Sequence, residues 1–122
     1  MLFGYITMNE ELQKILKENS LEYYKNALEA EKRKEYNSAV TLFFKAISSL
    51  SDLFVLLKEG KMPSNHTERF RILQFRYPEI YRLIDKDFPF YQDSYKSKLN
   101  KETSEMLKED AKRLFKILNI KI

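Results

Sequence analysis

The chain has 122 residues, of which 43% are hydrophobic and 33% charged, and a net charge of +4; this is one domain's length with enough apolar material for a core, and it argues against disorder. Cysteine is absent, which excludes disulfides, thiolate metal sites and cysteine nucleophiles, and two glycines with three prolines supply too little turn chemistry for an all-β protein. The modest positive charge is compatible with a nucleic-acid partner without demanding one.

The first stretch, MLFGYITMNEELQ, lacks a basic segment, and its apolar run is too short for a signal peptide or a membrane span. A cytoplasmic protein without membrane attachment is the expectation. Thr7-Met8-Asn9-Glu10 has the form of a capping box. From it Leu12, Ile15, Leu16, Tyr23, Tyr24, Ala27 and Leu28 recur at helical spacing to about Arg33, with Asn19 and Ser20 as a place for a bend.

The second segment carries the strongest pattern. Val40, Phe43, Ile47, Leu50, Phe54 and Leu57 form one stripe, and Ala39, Leu42, Ala46, Ser49, Leu53 and Leu56 form another beside it. A helix apolar over so wide an arc belongs at the centre of a bundle. Gly60 then supplies the left-handed residue that ends it.

Asn65, with Glu68 three residues on and Pro63 just before, predicts the N-cap of a third helix running from about His66 to Phe75. Pro78 opens another short helix, PEIYRLIDKDF, and DFPFYQDSYKSK is helical after Pro89. The last helix spans about Lys101 to Asn119, with Leu107, Ala111, Leu114 and Leu118 on one face. The expected fold is a single all-α domain over residues 1–122. Its architecture is an antiparallel up-and-down bundle of four main helices plus one short helix.

His66 is the only histidine, and two readings of it stay open. In one it is a boundary residue packed over Phe70 beside the helix cap. In the other it joins Arg69 and Lys61 in a phosphate-binding corner, where free N–H groups at the helix start attract anions and favour a neutral ring. Arg69 and Arg76 fall on one flank of this helix, which makes Arg76 a further phosphate candidate. Phe70, Leu73 and Tyr77 take its core stripe, so Ile72 and Phe75 point away and become candidates for a homodimer interface.

Asp85-Lys86-Asp87 has the spacing of a divalent-metal pair but lacks the surrounding strand signature, and reads as a helix-end acidic cluster. No metal or cofactor is expected. Tyr77 with Tyr81, and Tyr91 with Tyr95, lie four residues apart near Arg76 and Arg82; they form either a stacking platform for bases or the wet rim of the core.

Three stretches, YNSAVTLFFKAI, GKMPSNHTERFRIL and YQDSYKSKLNKETSEMLKEDAKRLFKIL, together resemble the HEPN superfamily of small helical-bundle proteins over about residues 20 to 118. Tyr36-Asn37-Ser38-Ala39-Val40 is similar to that family's Tyr-Asn-x-Ala-Val opening of the second helix, and SNH to its loop between helices two and three. The resemblance implies a four- or five-helix bundle, commonly dimeric, that works beside a minimal nucleotidyltransferase. It also implies, in many members, a metal-independent endoribonuclease that uses an arginine four to six residues before a histidine. Here Lys61 stands at that distance from His66, and Phe90 occupies the alternative arginine position five residues before Tyr95. Lysine does not reproduce the bidentate grip of arginine. The expectation is therefore a non-catalytic module that binds nucleotide or nucleic acid through Lys61, His66, Arg69, Arg76 and Tyr95. A toxin-type endoribonuclease with His66 as base and a protein-interaction scaffold are the alternatives.

Overall fold

The computed structural model describes the backbone of residues 2–122 and the side chains of residues 8–122. It is an all-α bundle of five helices: α1 (Leu2–Lys32), α2 (Tyr36–Glu59), α3 (His66–Arg76), α4 (Pro78–Lys96) and α5 (Lys101–Ile117). The first helix begins before the predicted capping box, so Thr7 lies inside it, and the Thr7 side chain is outside the described residues. A T-x-x-E tetrad reads the same within a helix as at its start, which is why the pattern misleads. Asn9 instead donates its side-chain amide to the carbonyl of Gly60, tying α1 to the end of α2. No break follows Asn19: α1 is continuous, and Ser20, fully buried, returns its hydroxyl to the Lys17 carbonyl.

Helix α2 is the core. Val40, Phe43, Ile47 and Leu50 on one stripe and Ala39, Ala46, Leu53 and Leu56 on the other are all buried, and the helix packs against α1, α4 and α5. It is the one helix among the described residues long and apolar enough to cross a membrane, but most of that stretch is covered by the rest of the fold. Gly60, at φ 84°, terminates it as predicted.

The α1–α2 turn closes differently. Lys34 takes the left-handed conformation, with its N–H on the Glu31 carbonyl and that of Glu35 on the Ala30 carbonyl. Asn37 then ties α2 to the end of α4: its amide donates to the carbonyls of Ser94 and Ser97, and its side-chain oxygen accepts from the N–H of Leu99. The asparagine of the YNSAV motif thus satisfies orphan groups in the last turn of another helix and just beyond its end.

The two C-terminal expectations are partly corrected. PEIYRLIDKDF and the aromatic stretch after Pro89 form one helix, α4, with Pro89 inside it. An exposed proline deprives the Asp85 carbonyl of its usual partner without ending a helix that tertiary packing holds. In α5, capped by Asn100 on the N–H of Thr103, the predicted face Leu107, Ala111 and Leu114 is fully buried. Ser104 and Lys108 on α5 converge on Glu31 of α1 at 2.6 and 2.7 Å.

The direction of α3 departs from a simple antiparallel sequence. Asp52 and Glu59 of α2 pair with Arg69 and Arg76 of α3. Acids and arginines therefore advance together along both helices, and α3 travels in the same sense as the end of α2. The loop 60–65, with Pro63 buried and Asn65 extended, first returns the chain.

Candidate binding cleft

The N-cap of α3 is as the sequence indicates: the Asn65 side chain accepts from the N–H of Glu68 at 2.9 Å. Glu68 does not close a capping box, because its carboxylate takes the Ser64 hydroxyl at 2.8 Å. This fixes His66 as the first helical residue. Its ring lies 5.3 Å from Phe88, 6.2 Å from Tyr91 and 6.4 Å from Phe44 between centroids. The predicted partner Phe70 packs edge-on against Phe88 instead.

Behind the histidine stands a chain of hydrogen bonds. Arg69 grips Asp52 bidentately, Nε to Oδ1 at 2.6 Å and Nη2 to Oδ2 at 2.8 Å, and both side chains are buried. Its remaining Nη1 lies 2.6 Å from His66 Nδ1. A guanidinium only donates, so Nδ1 accepts and the ring proton sits on Nε2. Partial burial, and then the Arg69 charge beside it, push the His66 pKa below its ordinary value; Asp52 pulls the other way, and Lys45 adds to the lowering. The neutral ring is oriented by α2 through Arg69.

His66 edges a cleft of about 260 Å³ whose lining includes Asn19, Tyr23, Lys45, Ser48 and Tyr91. Tyr91 stacks on Phe44 at 4.7 Å, giving one aromatic wall. Lys45 lies over the Tyr23 ring at 5.9 Å, giving a cationic one. Ser48 also lines the cleft, with its hydroxyl buried and without a hydrogen-bond partner.

The residues singled out in the sequence do not form one patch. Arg69 is buried on Asp52 and offers no free grip to a phosphate. Lys61 and Arg76 line a different groove, because the buried turn at Pro63 separates Lys61 from His66 and Arg76 reaches Glu59 at the far end of α3. Tyr95 is 94% exposed and lines neither. Of the tyrosine pairs only Tyr91 faces the cleft; Tyr77 gives its hydroxyl to Glu59, and Tyr81 packs edge-on against Phe70. Ile72, expected to point away from the core, is half-buried against it, while Phe75 is exposed. Asp87 belongs to the interior of α4, not to a helix-end cluster.

Asp52, Lys45, Ser48 and Phe44 escaped sequence reasoning. For all but Phe44 the signal was present: Lys45, Ser48, Ser49 and Asp52 form a polar stripe along α2, interrupting an otherwise apolar arc. No family model, curated protein or solved structure matches the chain.

Proposed function

We propose that the chain is a HEPN-like, non-catalytic module of the cytoplasm. In this reading the cleft beside His66 takes a nucleotide or the bases of single-stranded RNA, in concert with a minimal nucleotidyltransferase. One observation carries the reading: His66 Nδ1 is occupied by Arg69, itself clamped by Asp52, so the imidazole meets the cleft as a fixed, neutral N–H donor. A general base needs a free acceptor nitrogen, and here Nδ1 accepts already while Nε2 holds the proton. A donor serves binding well, since a phosphate or a base edge accepts from it. Tyr91 supplies a face for a base and Lys45 a counter-charge.

The test is a titration of the protein with ATP and with a short mixed-sequence RNA in EDTA, read by amide shifts and by RNA integrity. Shifts at residues 45, 48, 66 and 91 are expected, with Lys45→Ala weakening binding and affinity falling as salt rises. Intact RNA is the other expected result. Cleavage lost in His66→Ala would overturn the non-catalytic reading, and saturation without shifts in the cleft would overturn the site.

A further inference from the structure

A second surface shares no lining residue with the cleft. Between the end of α2 and α3 runs a groove of about 390 Å³, lined by Glu59, Lys61, Glu68, Arg71, Ile72 and Phe75 among others. Phe75 is 78% exposed in the last turn of α3. One exposed phenylalanine is ordinary, but this one stands beside the half-buried Ile72 on the wall of a concavity.

The charges of the groove are unevenly committed. Glu59 is held by Arg76 and by the Tyr77 hydroxyl, and Glu68 by Ser64. Both acids are engaged. Lys61 and Arg71 are exposed, and neither side chain makes a hydrogen bond or ion pair with any described residue. What remains open to a partner is an aromatic ring, part of an isoleucine and two cations.

We propose that this groove docks an acidic amphipathic segment of another protein. Its apolar side chains would cover Phe75 and Ile72, and its carboxylates would meet Lys61 and Arg71. Charge decides among occupants. A second copy placed face to face about a two-fold axis brings the same uncompensated cations to both sides. A nucleic acid would offer phosphates to the two cations but no aliphatic side chains to cover Ile72 and Phe75. Only an acidic, apolar-faced partner complements both features. This surface is independent of the reading given to the cleft.

The probe is a labelled synthetic helix with Leu at i, i+3, i+4 and i+7 and Glu on the flanking positions, titrated with the full chain by fluorescence anisotropy. The same helix with Gln in place of Glu and a labelled single-stranded oligonucleotide run beside it. The Glu helix should bind, the Gln helix should bind at least about tenfold more weakly, and Phe75→Ala and Arg71→Glu should each cost about tenfold or more. These side chains are exposed, so melting curves should match the wild type, and Lys45→Ala in the cleft should leave peptide binding unchanged. The proposal is overturned by no saturable binding, by equal binding of the two helices, or by binding indifferent to Phe75→Ala. Oligonucleotide binding sensitive to Phe75→Ala overturns it equally, as does a sedimenting dimer that Phe75→Glu dissociates.

Discussion

Asp52 and Arg69 bury opposite charges in a bundle whose other deep positions are mostly apolar. A buried pair is a poor source of stability but a strict one, because either partner alone is an uncompensated charge out of water. Arg69→Ala or Asp52→Ala should therefore cost about 3–5 kcal/mol in urea unfolding. Asp52→Leu with Arg69→Met should recover much of that loss, since an apolar pair of similar volume is often neutral. Single variants as stable as the wild type would mean that water screens the pair. His66 adds a small linkage of its own. Its folded pKa is depressed, so its contribution is present above its ordinary value of 6.5 and is lost as pH falls through the folded one.

Between α4 and α5 the chemistry is of another kind. Asp87 is 0% exposed, the Asp110 carboxyl of α5 stands beside it, and the Lys86 ammonium lies 4.0 Å from Asp87 and 3.0 Å from Asp110. Burial first, and then the Asp110 carboxyl, raise the Asp87 pKa to about 9 against an ordinary 3.8. The folded protein therefore binds a proton that the unfolded chain releases. Stability is fullest below the unfolded pKa, declines as pH rises, and levels off once the pH has passed the folded value. Asp87→Asn should flatten the fall in melting temperature between about pH 5 and 9. An unchanged slope would show that Asp87 is already ionised at neutral pH.

Nothing local in DKDF announces this. Asp85-Lys86-Asp87 looks like a solvated cluster, and only packing onto α5 separates the exposed Asp85 from the interred Asp87. The same holds for the left-handed Lys34, whose residue type gives no sign of a helix end, whereas Gly60 and Asn65 announced theirs.

At the scale of the molecule, the all-α class and the central place of α2 were legible because wide apolar arcs and caps are written in consecutive residues. The direction of α3 was not, because it depends on pairing across 17 residues, as the Asp52–Arg69 contact does. The cleft was half legible. His66 was visible as a lone imidazole, but its meaning lay in Asp52, Lys45 and Tyr91, brought to it from two other helices. Arg69 and Arg76 misled for the same reason: seven residues apart on a wheel, they look like one exposed flank, yet each is engaged by an acid of α2.

Helix α3 buries only Arg69 and Leu73 along its length, and one of those two anchors is the ion pair. Such a segment lies at the low end of the local unfolding scale, and its amides should exchange with deuterium sooner than those inside α2. Opening it would carry His66 out of the cleft and Phe75 off the groove in a single event. Any occupant of either surface that prefers the closed helix must then strengthen the hold of the other by an equal factor. Hydrogen exchange by mass spectrometry would read this directly, as protection across residues 66 to 76 when either surface alone is filled.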